Sequence, residues 1–269
     1  MRERYPKFIE RQKKNNRGEL VDYSIKESLQ INKTSWDAAA QRFFGRTALP
    51  EYGPHAPSEK ELKLFGDLNG KKALEIGCGS GHSIQYMLNH GIAEIWGLDL
   101  SSVQIQTAQV VCGNNNRVTL MESSMEVNPG IPLEHFDIVY SIYALGWTLD
   151  LESTIRNIHS YLKPGGTFIF SWEHPIHSRV VYDKQLLVFI ASYNDEKPAL
   201  HEAWKPRPAV FHHRKLSTYI NQLIEVGFTI EKVIEEVRLD TETKNEHSWY
   251  SDIKARNFPA TFIIKAKKI

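Results

Sequence analysis

From Lys71 towards the carboxyl end of the chain, short apolar runs alternate with segments whose apolar residues recur at helical spacing. This alternation is typical of a parallel sheet whose strands are joined by crossover helices. The run Thr167–Trp172 is apolar at nearly every position, as expected for a strand buried on both faces. The pattern therefore predicts an α/β fold with a doubly wound, mostly parallel sheet.

Seven strands and four helices are expected in this part of the chain. The strands are predicted at residues 72–76, 93–98, 117–121, 136–141, 167–172, 228–234 and 260–265. The helices are predicted at residues 83–89, 101–112, 151–162 and 215–226. Ser101 is a favourable N-cap for the second of these helices, and Gly113 is a favourable residue for ending it.

Two segments depart from the alternation. Residues 1–70 are predicted to form a mainly helical N-terminal cap, and residues 71–269 to form the main domain. Within that domain, residues 174–213 contain four prolines and scattered aromatic residues. We interpret this stretch as an insertion that lies over the edge of the sheet, because it lacks the regular pattern of an independent domain.

Bulk properties exclude several classes of protein. The chain has 269 residues and a formal net charge of +1, so no overall field favours binding to nucleic acid. The basic residues between Arg2 and Arg17 are compatible with a solvated arm or with an interaction tail. No apolar stretch is long enough for a membrane span, and the start of the chain is too charged for a signal peptide. Cys78 and Cys112 form no CxxC motif, so a cytoplasmic setting without disulfides is expected.

The strongest candidate binding site is the turn after the first strand. It reads Gly77-Cys78-Gly79-Ser80-Gly81 and leads directly into a helix. Glycines let the backbone approach a ligand closely, and the helix start offers free N–H groups. A dinucleotide fingerprint would require glycine at position 82, where this chain has His82.

Two carboxylates near this turn indicate the kind of ligand. Asp99, at the end of the second strand, can accept hydrogen bonds from both hydroxyls of a ribose, which dinucleotides and adenosyl cofactors share. Glu75 precedes the turn and would repel a pyrophosphate, but it suits a ligand that carries an ammonium or a sulfonium.

Four segments together resemble the motifs of class I S-adenosylmethionine-dependent methyltransferases. They are Leu74–Gly81, Gly97–Ser101, Phe136–Ser141 and Leu162–Thr167, in family order and at family-like intervals. The resemblance covers about residues 71–173. It implies S-adenosylmethionine as the cofactor and a Rossmann-like sheet of seven strands with one antiparallel strand near the C-terminus.

The resemblance also implies positions for the parts of the cofactor. Glu75 and the glycines would face its amino-acid portion, Asp99 its ribose and Leu100 its adenine. Family members usually place an aspartate after the third strand, whereas this chain has Ser124 in the corresponding segment. The residues expected to bind the cofactor are Glu75, Gly77, Cys78, Gly79, Gly81, Asp99, Leu100, Ser124, Met125 and Ser141.

The acceptor side is less sharply defined by sequence. Candidate acid–base residues follow the fifth strand or close the insertion, and they are Glu173, His174 and His213. Aromatic and imidazole side chains expected near the acceptor pocket are Trp36, Tyr52, Tyr143, Trp147 and His212. No carboxylate–histidine set has the spacing of a metal site, so no metal is expected.

These features favour a methyltransferase that acts on a small molecule by direct in-line transfer, with oxygen, nitrogen, carbon and sulfur all open as acceptor atoms. The chain has Tyr140-Ser141-Ile142-Tyr143 where amino-group nucleic-acid methyltransferases have an Asn/Asp-Pro-Pro-aromatic signature. A protein that binds S-adenosylmethionine without catalysis is the main alternative. A nicotinamide-dependent oxidoreductase fits less well, because of His82 and Glu75.

Overall fold

A computed structural model describes residues 23–183, 185–201, 204–239 and 249–269. The basic stretch between Arg2 and Arg17 therefore lies outside the described residues, as does the first third of the predicted N-terminal cap. None of the helices in the described ranges is both long and apolar enough to cross a membrane.

The described residues contain eleven strands and seven α-helices. The strands are β1 Lys72–Ile76, β2 Glu94–Asp99, β3 Val118–Glu122, β4 Phe136–Ile142, β5 Leu162–Glu173, β6 Val180–Asp183, β7 Leu186–Phe189, β8 Pro198–His201, β9 Ala209–His212, β10 Phe228–Ile234 and β11 Thr261–Lys268. The α-helices are α1 Ile25–Ala39, α2 Glu59–Leu62, α3 His82–Asn89, α4 Ser102–Cys112, α5 Leu151–Tyr161, α6 Leu216–Val226 and α7 Asp252–Ala255. Short 3-10 helices are Ala40–Phe43, Leu145–Trp147 and His177–Arg179.

The main sheet has seven strands in the order β10-β11-β5-β4-β1-β2-β3. Strand β11 runs antiparallel to both of its neighbours, β5 and β10, and the other pairings are parallel. The predicted doubly wound sheet with one antiparallel strand near the C-terminus is confirmed.

Alternating side chains of the central strands build a core on each face of the sheet. On β1, Leu74 packs in a cluster with residues of α5 and α6, including Ile155 and Leu223. Its neighbour Ala73 faces the other way, into a cluster with Ile84 of α3. Both faces of a parallel sheet must be covered in this way, because the crossover helices lie on both sides.

The predicted helix ends are confirmed by their capping contacts. The backbone N–H of Gln104 donates to the Ser101 hydroxyl at 3.2 Å, which caps α4. Gly113 ends the same helix at a φ of +65°, a conformation that glycine adopts without strain. Asp150 caps α5 by accepting from the Ser153 N–H at 3.0 Å.

Strand β5 differs from its predicted bounds because it begins directly after α5, at Leu162. Leu162 pairs with Phe136 of β4, and after a bulge Thr167 pairs with Ile138. The residues Pro164-Gly165-Gly166, a sequence typical of a turn, therefore lie inside the bulge, where Gly165 has a φ of +75°. A turn signal in sequence does not distinguish a loop from a bulged strand.

The insertion at residues 174–213 contains strands that the hydrophobic pattern did not predict. It forms two antiparallel hairpins, β6–β7 and β8–β9. Each strand has only four residues, which is too short for the alternation of apolar and polar residues to stand out.

The first α-helix is attached to the second hairpin of the insertion. The buried Asn32 side chain donates from Nδ2 to the Val210 carbonyl at 3.0 Å and accepts from the Val210 N–H at 2.7 Å. One amide thus satisfies both backbone groups of a buried strand residue, which joins parts of the chain that are 178 positions apart.

We expect Asn32→Ala to lower the free energy of unfolding by about 1–3 kcal/mol, because it leaves two buried backbone groups without partners. Denaturant unfolding followed by circular dichroism measures the change. Gln30→Ala is the matched control, since Gln30 lies on the exposed side of the same helix and bonds only to Thr34. Equal stability of the two variants would show that the Asn32 contacts contribute nothing net.

Candidate active site

The carboxyl ends of β1, β2 and β4 meet at an open cleft of about 950 Å³. Ligands of doubly wound sheets bind at this edge, where the connections lead to opposite faces. Of the residues predicted to bind the cofactor, those that line the cleft are Glu75, Gly77, Cys78, Gly79, Asp99, Leu100, Ser124 and Met125.

The glycine turn is held against the end of β2 by its backbone. The N–H groups of Gly77 and Cys78 both donate to the Leu98 carbonyl, at 2.7 and 3.0 Å. Gly77 has a φ of +73°, and a Cβ there would collide with Ala144. Gly81, which does not line the cleft, lies against Ala108 and lets α3 pack closely on α4.

Asp99 is positioned by two backbone donors. The Gly79 N–H donates to Oδ2 and the Ser101 N–H donates to Oδ1, each at 2.9 Å. Each carboxylate oxygen keeps a second lone pair, so Asp99 can still accept from two hydroxyls of a ligand. Burial outweighs the two hydrogen bonds and raises the pKa of Asp99 to about 6.

Glu75 is more deeply buried than Asp99, with only 2% of its surface exposed. Its Oε2 accepts from the Tyr140 hydroxyl at 3.3 Å. Burial raises the pKa of Glu75 well above its ordinary value, and the nearby charge of Asp99 adds to this effect. A cationic ligand group would stabilise the ionised form of Glu75.

Gln104 is a site residue that sequence reasoning missed. It lies in the first turn of α4 and lines the cleft, although its side chain is buried. Its Oε1 has no hydrogen-bond partner among the described residues. Side chains in the first turn of a helix point back towards its start. A polar residue three positions after the Ser101 cap could therefore have been predicted to face the cleft.

Arg46 was also missed, because it lies far from the glycine turn in sequence. It belongs to a connecting strap, residues 44–49, that crosses the cleft and includes two further cleft-lining residues. Two hydrogen bonds tie the strap to the glycine turn and α3: Gly45 N–H to Ser80 Oγ and Leu49 N–H to Ser83 Oγ, both 3.1 Å. Arginine is suited to bidentate binding of a carboxylate.

A cluster of aromatic rings lines part of the cleft. Trp36 of α1 lies 5.2 Å, between ring centroids, from both Phe43 and Trp147, and all three rings line the cleft. Tyr143 also lines it, but its hydroxyl is bonded to Thr261 Oγ1 at 2.8 Å. The structure thus brings three predicted pocket residues, Trp36, Tyr143 and Trp147, to the cleft.

Three other predicted residues lie away from the cleft lining. Ser141 is fully buried within β4 and donates to the Ile76 carbonyl at 2.8 Å. The buried Tyr52 donates to Glu59 at 2.6 Å. His212 borders a separate space of about 470 Å³ between the β8–β9 hairpin and the start of α1.

Glu173 and His174, the predicted acid–base residues after β5, do not line the cleft either. Glu173 accepts from Trp249 Nε1 at 2.6 Å and lies 3.6 Å from His177 Nδ1. Burial by itself would raise the pKa of Glu173, but His177 and Trp249 outweigh it and bring the pKa to about 2. His174 Nε2 contacts Glu235 Oε1 at 2.7 Å, and its Nδ1 accepts from the Ile176 N–H.

His213, the third acid–base candidate, lies in the insertion. Its Nδ1 is 3.2 Å from the Ser178 hydroxyl. Burial, with the nearby charge of Arg179, lowers the pKa of His213 to about 3, so the imidazole is neutral at physiological pH. Participation of these three residues in proton transfer stays a prediction.

Comparisons with known proteins agree with the geometry of the cleft. The profile of a methyltransferase domain family matches residues 74–170. The chain is 31% identical over 220 residues to an uncharacterized protein of Haemophilus influenzae, covering 77% of this chain and 85% of the relative. It is 26% identical over 187 residues to a malonyl-[acyl-carrier protein] O-methyltransferase of Pseudescherichia vulneris, covering 68% and 63%. An S-adenosylmethionine-dependent methyltransferase from Mesorhizobium loti has a TM-score of 0.67 at 28% identity, with 77% of this chain and 95% of that chain covered.

We expect the affinity for S-adenosylhomocysteine to fall about tenfold between about pH 7.5 and about pH 5. The pKa of Asp99 is raised to about 6, so its carboxylate becomes protonated over this range and loses capacity to accept hydrogen bonds. Calorimetric titration at several pH values measures the change. Asp99→Asn should bind more weakly at neutral pH and show a flatter profile. An equally steep profile in Asp99→Asn would assign the effect to other groups, chiefly Glu75.

Proposed function

The chain belongs to the class I S-adenosylmethionine-dependent methyltransferases, and from this premise we propose that it methylates a small molecule by direct in-line transfer. Its cofactor, S-adenosylmethionine, supplies a methyl group activated by a sulfonium. The protein's part in such a reaction is to orient the acceptor and exclude water, with little covalent chemistry of its own.

The polar side chains of the cleft fit this cofactor. Asp99 has free lone pairs for ribose hydroxyls, and the unpartnered Oε1 of Gln104 lies on the same wall. Glu75 supplies a negative charge for the ammonium, and Arg46 supplies a positive charge for the carboxylate. An amino acid joined to a nucleoside requires this combination of groups.

The aromatic rings that line the cleft support the proposal that the methyl acceptor is a small molecule. Trp36 and Phe43 lie on one continuous helical segment, and Trp147 packs against Trp36 from a distant part of the chain; all three rings line the cleft. A covered cleft keeps water from the methyl group and admits a flat or apolar molecule more readily than a folded macromolecule.

We expect Arg46→Gln to weaken binding of S-adenosylhomocysteine by about tenfold, because the variant loses a charge-assisted contact to the ligand carboxylate. Binding of 5′-methylthioadenosine, which has no carboxylate, should stay unchanged. Calorimetry with both ligands measures the difference. Arg156→Gln is the control, since Arg156 pairs on the exposed surface with Glu152 at 2.8 Å. Equal losses for both ligands would mean that Arg46 maintains the strap and does not contact the carboxylate.

The function itself is tested by methyl transfer from labelled S-adenosylmethionine into a cell extract divided into metabolite and macromolecule fractions. We expect label in the metabolite fraction. Label confined to protein or RNA would contradict the small-molecule proposal, and intact cofactor binding with no transfer to any fraction would favour a non-catalytic binder.

The same assay tests the predicted acid–base role of His174. If His174 moves a proton, His174→Ala slows transfer by about tenfold or more and leaves cofactor affinity unchanged. Loss of cofactor affinity, or normal transfer, would instead assign His174 to the structural contact with Glu235.

A further inference from the structure

The insertion holds a buried arginine that forms no ion pair with another described residue. Arg179 is only 4% exposed, and among the described residues no carboxylate oxygen lies within 4 Å of its guanidinium. The arginines that form ion pairs in the described ranges, Arg156 and Arg238, are exposed. A buried charge without a partner is costly and is usually retained because it binds something.

Arg179 makes one side-chain hydrogen bond to the described residues. A guanidinium has five N–H donors. In the described part of the chain, one of them donates to the backbone carbonyl of Asp195. Desolvation lowers the pKa of Arg179, and the charges of Asp195 and Glu196 oppose part of this effect without forming an ion pair with it.

The acidic side chains around Arg179 are engaged with other groups. Glu196 pairs with Lys215 at 3.0 Å and accepts from Thr218. The Asp195 carboxylate accepts from the backbone N–H of Lys197 at 3.2 Å. Glu173, whose charge raises the pKa of His213, is bound by Trp249. None of these acids neutralises Arg179 by direct contact.

A second donor lies beside Arg179. His213 Nδ1 is 3.2 Å from the hydroxyl of Ser178, the residue that precedes Arg179. Because the imidazole is neutral, a bond donated by Ser178 to Nδ1 leaves the proton on Nε2. After burial, the charge of Arg179 is the next largest contribution to the lowered pKa of His213.

Aromatic rings connect this region with the cofactor cleft. The Phe211 ring lies 5.3 Å from Trp147, which lines the cleft, and 4.6 Å from His213. Trp172 lies 5.9 Å from the other side of Phe211. An apolar wall therefore leads from the place of methyl transfer to Arg179 and His213.

We propose that Arg179 and His213 bind an oxyanion of the methyl acceptor, a carboxylate or a phosphate, while the apolar body of the acceptor lies along Trp147 and Phe211. This inference rests on the proposed function and names the class of acceptor. Phe211 and His213 lie on or directly after β9, so the β8–β9 hairpin moves to admit the acceptor. The hairpin is a separate two-stranded sheet that the Asn32–Val210 hydrogen bonds hold to α1, so this movement requires those bonds to break or α1 to move with it.

The test measures binding of benzoate, phenyl phosphate and benzamide to the protein saturated with S-adenosylhomocysteine. We expect at least one of the two anions to bind, and the uncharged benzamide to bind at least about tenfold more weakly. A preference for benzoate identifies a carboxylate subsite, and a preference for phenyl phosphate identifies a phosphate subsite. Failure of both anions to bind at their highest soluble concentrations would overturn the proposal.

Variants of Arg179 test whether this residue is responsible for the binding of the anion. Arg179→Gln should weaken anion binding by about tenfold or more, and Arg179→Lys by less, because lysine keeps the charge but loses the planar pair of donors. Arg156→Gln should leave it unchanged. Wild-type affinity for the anion in Arg179→Gln would overturn the assignment.

Two further measurements keep the outcome interpretable. If circular dichroism shows that Arg179→Gln does not fold, anion binding is measured with Arg179→Lys and Ser178→Ala instead. Unchanged anion affinity in both of these variants would also overturn the proposal. Affinity for S-adenosylhomocysteine is measured in each case. Absence of cofactor binding by the wild-type protein is a failure of the proposed function, whereas intact cofactor binding without anion binding is a failure of the subsite alone.

Discussion

The burial of two carboxylates, Glu75 and Asp99, at the ends of neighbouring strands constrains the rest of the active site. Both side chains lose solvation, so each has a raised pKa, and the charge of Asp99 raises the pKa of Glu75 further. The backbone N–H groups of Gly79 and Ser101 offset part of this cost at Asp99. The turn can present the Gly79 N–H only because residue 79 has a φ of +49°, which favours glycine. The remaining free-energy cost of burying the two carboxylates is lowest when a cationic group and ribose hydroxyls occupy the cleft. The same carboxylates that destabilise the empty turn would therefore favour a ligand with these groups.

The first α-helix completes this arrangement from the other side. Lys33 donates to the Leu100 carbonyl at 3.3 Å and pairs with Glu122 at 2.7 Å, so its charge lies beside the acidic turn. Asp37 accepts from the Ser101 hydroxyl at 2.6 Å. These contacts hold the helix, and with it Trp36, over the cleft. The same helix face is fixed to the insertion through Asn32 and β9, so cofactor cover and acceptor side form one connected assembly.

On the acceptor side, position after a strand was a poor guide to contact with the cleft. Glu173 is the last residue of β5 and His174 follows it, yet their polar atoms are engaged by Trp249, His177 and Glu235. Buried polar groups in proteins generally have hydrogen-bond partners. Histidines and acidic residues that lie close together can therefore serve as partners for one another and need not face the cleft. The exceptions to this rule in the described part of the insertion are His177 Nε2, His201 Nδ1 and Trp204 Nε1. Arg179 is buried in the same insertion without an ion pair to another described residue.

The sequence by itself determined the seven-stranded sheet, the glycine turn and the position of Asp99. These features depend on local regularities, namely hydrophobic period, glycine conformation and helix caps, which are readable over a few residues. Tertiary structure alone decided which side chains share the cleft. Arg46 and Gln104 reach it from segments 58 residues apart, and the aromatic rings that line it join α1 to the 3-10 helix at Leu145–Trp147. Such contacts depend on how distant segments pack, and neither periodicity nor motif spacing in a single sequence carries that information.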